Sequence, residues 1–337
     1  MMYPTRTAEM TVPSRSLLMV PNAANAITAA LATGEVSNIT LMMILIKGRF
    51  GTDRLRLREC SILPGRQDRI MALPPPETCR TRDVTLAYRE YGAGFPLVLI
   101  SGLAAPMKTW NPPVIAELSR HFRVIVFDNR GTGYSGASDE PFSIPLFARD
   151  TAGLMDALGI SRAHILGHSM GACIAQELAL AFPEKSGRLV LVAGDCGGSE
   201  AQRMAPKVFA RLADRSGTMA EVAARLFSVL FPPAWLATHD PFKFCPDVEE
   251  TTSDEIAARQ AAAFFSWPGS FSRLGEIRAR TLVLTGDEDV VVPCGNSRLL
   301  AEKIPGADLA VFPGAGHGLM YQCPDRFSGT VIRFLER

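Results

Sequence analysis

Ala163-His164-Ile165-Leu166-Gly167-His168-Ser169-Met170-Gly171-Ala172-Cys173-Ile174-Ala175 is the stretch whose reading decides the fold. Its first four residues, three of them apolar, read as a short strand. From Ser169 onward, Ala172, Cys173, Ala175, Leu178 and Ala179 recur at helical spacing, and Pro183 ends the helix they predict. The join is Gly167-His168-Ser169-Met170-Gly171, a G-x-S-x-G between strand and helix, which is the setting of a nucleophile elbow. Such a sharp turn strains the serine backbone and pushes its hydroxyl out of the sheet. Side chains at positions 167 and 171 would collide with neighbouring backbone, so glycine is required there.

Working outward, the same alternation repeats on both sides. Strands are predicted at Val84–Tyr91, Leu97–Ile100, Val124–Phe127, Leu189–Val192, Thr281–Leu284 and Asp308–Phe312, and helices at Pro113–Arg120, Phe147–Leu158 and Asp325–Leu335. Short, fully apolar strands separated by helices imply an α/β class with a mostly parallel central sheet flanked by helices. The alternation fails once, over about 197–275, where helical patterns near Glu200–Asp214, Met219–Leu230 and Ser253–Phe265 stand alone. This segment is under a quarter of the chain yet carries ten of its 26 aromatic residues, among them Phe227, Phe231, Trp235, Phe264, Phe265 and Trp267. Most should pack the insertion onto the domain below, with a few left to line an apolar pocket. The expected organisation is a core at 81–196 and 276–337, a helical cap at 197–275, and an irregular extension at 1–80.

Lys and Arg number 35 against 34 Asp and Glu. That balance offers no broad field for nucleic acid or an anionic membrane and points to a small-molecule partner. Seven scattered cysteines without a Cys-x-x-Cys pair read as free thiols in a reducing, cytoplasmic compartment. The longest apolar run near the N-terminus, Leu41–Ile46, is too short to span a membrane. Arg6, Arg15 and Leu17–Val20 loosely resemble a leader, but Pro21, Asn22 and Asn25 interrupt it. Met71, just before Pro74-Pro75-Pro76, is an alternative start.

A serine hydroxyl needs a base, and the base needs an orienting acid. His317, in Pro313-Gly314-Ala315-Gly316-His317-Gly318 directly after the last predicted strand, is the best base. For the acid, Asp289 is preferred because the two residues between it and Gly286 give the turn room to point it back toward the His317 loop. Asp287 is the near alternative, and Asp195, at the end of the strand before the insertion, the distant one. A competing pattern, Gly131-Thr132-Gly133-Tyr134-Ser135-Gly136 with Asp156 beyond it, spells a dinucleotide fingerprint. Those glycines should open a helix that holds pyrophosphate, whereas two prolines follow within Ala137–Pro145, so a loop near the active site is expected instead. His121, His164, His168 and His239 form no metal-ligand spacing, and neither metal nor cofactor is expected.

With these pieces, residues 82–337 resemble the α/β-hydrolase superfamily, in its broad esterase and lactonase group with a helical cap. Gly167–Gly171, Asp128-Asn129-Arg130-Gly131-Thr132-Gly133-Tyr134-Ser135, Gly286–Pro293 and Gly316-His317 carry the likeness, and the chain order of serine, acid and histidine agrees with it. The resemblance implies an oxyanion hole from the backbone N–H groups of Met170 and Leu103. Family members commonly have His-Gly where this chain has Ser101-Gly102, which leaves the backbone donor but changes the packing of its loop. The implied activity is hydrolysis of an ester-like bond in a small, largely apolar substrate through an acyl-enzyme. Lactonase, carbon-carbon bond hydrolase, cofactor-free haloperoxidase and a weakly catalytic ligand-binding receptor are the alternatives. A serine at the elbow argues against the dehalogenase and epoxide hydrolase branches. A homo-oligomer is compatible with the sequence.

Overall fold

The computed structural model describes residues 76–245 and 252–337. The expectations for residues 1–75, the leader-like stretch included, lie outside the described residues. Eight strands form one sheet: β1 (Glu77–Arg80), β2 (Thr85–Tyr91), β3 (Pro96–Ile100), β4 (Arg123–Phe127), β5 (Ala163–His168), β6 (Ser186–Val192), β7 (Thr281–Gly286) and β8 (Asp308–Phe312). Their order is β1-β2-β4-β3-β5-β6-β7-β8. The β1–β2 and β2–β4 pairs are antiparallel and all others parallel. This is the α/β-hydrolase architecture that the sequence leads one to expect.

Alternation along the central strands builds two cores. In β3, Val98 and Ile100 face one side, with Phe147 and Met155 of α2 (Ile144–Ala157) and Ala172 and Ile174 of α3 (Met170–Ala181). Leu97 and Leu99 face the other, with Val114 and Leu118 of α1 (Pro112–Leu118) and Phe327 and Val331 of α10 (Pro324–Leu335). A strand covered on both faces has no polar side, which is why these runs are uninterruptedly apolar. Helix starts follow local chemistry. Pro112 and Pro206 stand at first-turn positions, and the Ser143 hydroxyl accepts from Leu146 N at 3.2 Å to cap α2.

Between β6 and β7 the described residues hold helices alone: α4 (Pro206–Ala213), α5 (Met219–Leu230), the single turn α6 (Pro233–Leu236), α7 (Asp254–Phe265) and short 3-10 turns. Phe264 and Trp267 are buried against the α3 side of the core, and Trp267 Nε1 donates to Glu177 Oε1 at 2.9 Å. Trp235 and His239 instead stack on each other at 4.6 Å, with Phe244 beside them.

Three differences from the sequence reading have local causes. β1 falls in the last residues of the segment expected to be irregular; Glu77-Thr78-Cys79-Arg80 is an edge strand with charge at both ends and no apolar run. The helix α8 (Cys294–Lys303) was not expected, because Gly295, Asn296 and Ser297 are weak helix formers and Leu300 is its one buried apolar residue. The helix expected from Glu200 begins only at Pro206. A last single turn, α9 (Leu319–Gln322), follows the His317 loop. No helix among the described residues is long and apolar enough to cross a membrane.

Candidate functional site

Ser169 joins β5 to α3 with φ 57° and ψ −123°. For a residue with a side chain this backbone costs about 1–3 kcal/mol, and packing must hold it there. Ser169 N donates to Val192 O and Ser169 O accepts from Ala172 N, both at 2.9 Å. A Cβ on Gly167 would lie 2.2 Å from Gly171 O, and one on Gly171 would lie 2.0 Å from Ile100 O. Both glycines are therefore needed for the turn to pass between β3 and α3.

The loop after β8 brings His317 to the same end of the sheet. Its Nδ1 lies 2.8 Å from Asp289 Oδ2, with both side chains buried. The other carboxylate oxygen, Oδ1, accepts from Val291 N and Val292 N, each at 2.8 Å. The turn thus grips one oxygen and leaves the other for the imidazole. The rival carboxylates are engaged elsewhere. Asp287 Oδ1 accepts from Gly314 N at 2.7 Å, tying its loop to the one after β8. Asp195 Oδ1 accepts from Gly197 N at 2.8 Å and Oδ2 lies 3.8 Å from Arg203 Nη1, while burial raises its pKa.

His168, the residue before the serine, bridges the two loops: its Nε2 lies 3.2 Å from His317 O, and the two rings are 4.9 Å apart. The carbonyl can only accept, so Nε2 carries the proton. Among the described residues, no hydrogen bond joins the Ser169 hydroxyl to the His317 imidazole. Burial, then the neighbouring His317, pushes the His168 pKa down to about 3. The folded state therefore holds fewer protons than the unfolded chain between about pH 3 and 6.5, so stability falls as pH drops through that window. We expect His168 to account for at most about 2 kcal/mol of destabilisation at pH 5. Thermal melts at pH 7 and 5 should show a smaller acid loss in His168→Gln than in wild type.

The loop after β3 holds Gly102, Leu103 and Ala104. A Cβ on Gly102 would lie 3.2 Å from Ser169 Cβ, which places this loop against the serine. Asn129 Nδ2 donates to Ser101 O at 3.0 Å. Ala104 has φ 54° and is held on both sides by the segment between β6 and β7: Ala104 N donates to Gln260 Oε1 at 2.8 Å, and Thr252 Oγ1 donates to Ala104 O at 3.1 Å. Gln260 Nε2 also donates to Thr132 Oγ1 at 2.7 Å and Arg130 O at 3.2 Å. Sequence reading missed Gln260. The available signal was a polar residue on the stripe of α7 shared by Ile256, Ala263 and Phe264, and it is fully buried.

The Gly131–Gly136 run opens no helix, since α2 starts at Ile144. Instead, Asp128 accepts from Met107 N at 2.6 Å and Tyr134 N at 2.9 Å, so the run folds around a carboxylate. A Cβ on Gly131 would lie 2.7 Å from Ile256 Cδ1, which explains how α7 can sit on this loop. Arg130, fully buried, forks onto Asp150 and Asp83 and ties the loop to α2 and to the approach to β2. Asp156, the expected ribose acid of the dinucleotide pattern, pairs with Lys185.

The family model for the alpha/beta hydrolase fold matches residues 96–323. The chain belongs to the α/β-hydrolase family. Among curated relatives of this hydrolase, a protein of Azorhizobium caulinodans provisionally named carbamate hydrolase RutD is 35% identical over 261 residues, spanning 75% of this chain and 95% of that one. Among solved structures, a hydrolase from Pseudomonas aeruginosa superposes with TM-score 0.66 at 31% identity, covering 78% of this chain and 99% of the other. The enol-lactonase from Burkholderia xenovorans does so with TM-score 0.67 at 27% identity, covering 77% and 100%.

Proposed function

We propose that this hydrolase cleaves an ester-like bond, in an ester or a carbamate, of a small and largely apolar substrate through an acyl-enzyme on Ser169. The observation that carries the reading is the Asp289 Oδ2···His317 Nδ1 contact of 2.8 Å beside a strained serine elbow. With Asp289 holding the proton on Nδ1, Nε2 of His317 is free to take the proton of the Ser169 hydroxyl as its oxygen attacks the carbonyl. The same nitrogen returns the proton to the leaving alcohol or amine. Water then attacks the acyl-enzyme by the reverse sequence, and the acid is released. The developing oxyanion is received by Met170 N–H, a first-turn amide of α3 without an intrahelical partner, and by Leu103 N–H.

The names of the relatives widen an ester reading rather than narrow it. The carbamate hydrolase RutD name implies a carbonyl flanked by both oxygen and nitrogen, and the enol-lactonase a cyclic ester. An apolar preference is supported by the aromatic run over the His317 loop, where Phe231 packs on Gly318 and stacks on Trp235 at 4.7 Å. In this reading the helical segment between β6 and β7 is the cap. Fluorophosphonate labelling tests the nucleophile: the probe should attach to the peptide containing Ser169, and equal labelling of Ser169→Ala would overturn the assignment. A panel of p-nitrophenyl esters and aryl carbamates of increasing chain length tests the substrate class, which would be wrong if no member were turned over.

The double grip on Ala104 makes Gln260 a positioning residue for the Leu103 loop. Gln260→Ala leaves Ala104 N and Arg130 O without their partner, and a displacement of about 1 Å at a reacting centre costs roughly a hundredfold. We expect kcat to fall about 10- to 100-fold while KM changes less. Gln260→Glu, which keeps the acceptor for Ala104 N, should lose less than Gln260→Ala. Equal kcat in wild type and both variants would leave Gln260 a purely structural pin.

A further inference from the structure

Cationic charge collects at the end of the sheet opposite Ser169. Arg162 immediately precedes β5, Arg188 lies in β6, and Arg278 and Arg280 lead into β7. These three strands are parallel neighbours, so their N-terminal ends lie side by side. The four arginines line one concavity of about 280 Å³. A gathering of like charges is costly.

The existing partners only partly offset this. Arg188 Nη1 donates to Phe334 O at 2.7 Å, and Arg280 lies 3.8 Å from Asp308, a carboxylate shared with Arg337 at 3.7 Å. Arg162 and Arg278 form no ion pair among the described residues, and Glu276 lines the adjoining hollow together with Arg278. His164, whose Nδ1 accepts from Arg188 N at 2.9 Å, is held neutral near pH 7, its pKa pushed down to about 4 by burial and then by Arg188 and Arg162.

We propose that this concavity binds phosphate, free or as the terminal group of a small phosphomonoester, with Arg162, Arg188, Arg278 and Arg280 as counter-charges. Guanidinium forks match the geometry of phosphate oxygens, and one dianion answers the repulsion. The six residues of β5 separate the concavity from the serine elbow by about 20 Å, so the proposal does not depend on the hydrolytic reading.

Calorimetric titration and thermal melts of the full chain test it, at constant ionic strength, with inorganic phosphate, methyl phosphate or chloride. Wild type should bind phosphate saturably and its melting temperature should rise with phosphate but not with chloride. Phosphate raises melting temperatures nonspecifically at high concentration, an effect the variants would share. The double variant Arg162→Gln, Arg278→Gln should bind at least about tenfold more weakly while melting no lower in chloride, because repulsion is relieved. Equal binding of methyl phosphate would assign a phosphomonoester ligand, and exclusion of it would assign the free ion. Absence of saturable binding in wild type, or undiminished affinity in the double variant, would overturn the proposal.

Discussion

Ser169→Ala is expected to lower kcat on an ester or carbamate substrate by about 10⁶-fold, with a melting temperature close to that of wild type. The loss is large because the covalent route disappears, not because a contact weakens. The variant keeps the elbow, since the backbone bonds of residue 169 to Val192 O and Ala172 N do not involve the side chain. The φ of 57° is also no worse for alanine than for serine. His317→Ala should cost a similar amount, and the double variant should cost little more than either, because the two residues act as one unit. What remains would come from Met170 N–H, Leu103 N–H and substrate positioning. Steady-state kinetics on the three variants, beside melts, decide it: a fall of tenfold or less in Ser169→Ala would remove the serine from the chemistry.

Asp289→Asn should cost about 10⁴-fold in kcat while leaving the fold in place. The asparagine carbonyl can still accept from Val291 N and Val292 N, which keeps the turn, but its amide now faces His317 Nδ1. An N–H donor at that place makes Nδ1 the acceptor and moves the imidazole proton to Nε2, the nitrogen that receives the serine proton in the proposed mechanism. The histidine is then present in the wrong tautomer. Asp287→Asn and Asp195→Asn should each retain kcat within about tenfold, since their carboxylates bond to Gly314 N and Gly197 N instead. The pattern across the three variants is more telling than any one of them. Should Asp287→Asn or Asp195→Asn prove the most damaging, the acid would have to be reassigned.

The elbow was legible because its requirements are local. A glycine two residues before and after the serine answers collisions with Gly171 O and Ile100 O, and apolar runs on one side and helical spacing on the other announce the strand and helix. Central strands were legible for the same reason, since burial on both faces leaves an apolar run with no polar alternation. Edge strand β1 and helix α8 escaped because their stability comes from neighbours rather than from their own pattern.

Sequence by itself determined that the chain forms a mostly parallel α/β sheet with Ser169 at a strand-to-helix turn and histidine and acid loops later in the chain. Those features depend on residues adjacent in the chain, whose periodicity and steric needs can be counted. Only the tertiary structure decided which carboxylate meets His317, that Gln260 of α7 holds Ala104, and that Arg162, Arg188, Arg278 and Arg280 share one concavity. Each of these joins residues distant in sequence, and a hydrogen bond depends on tenths of an ångström that no residue spacing specifies.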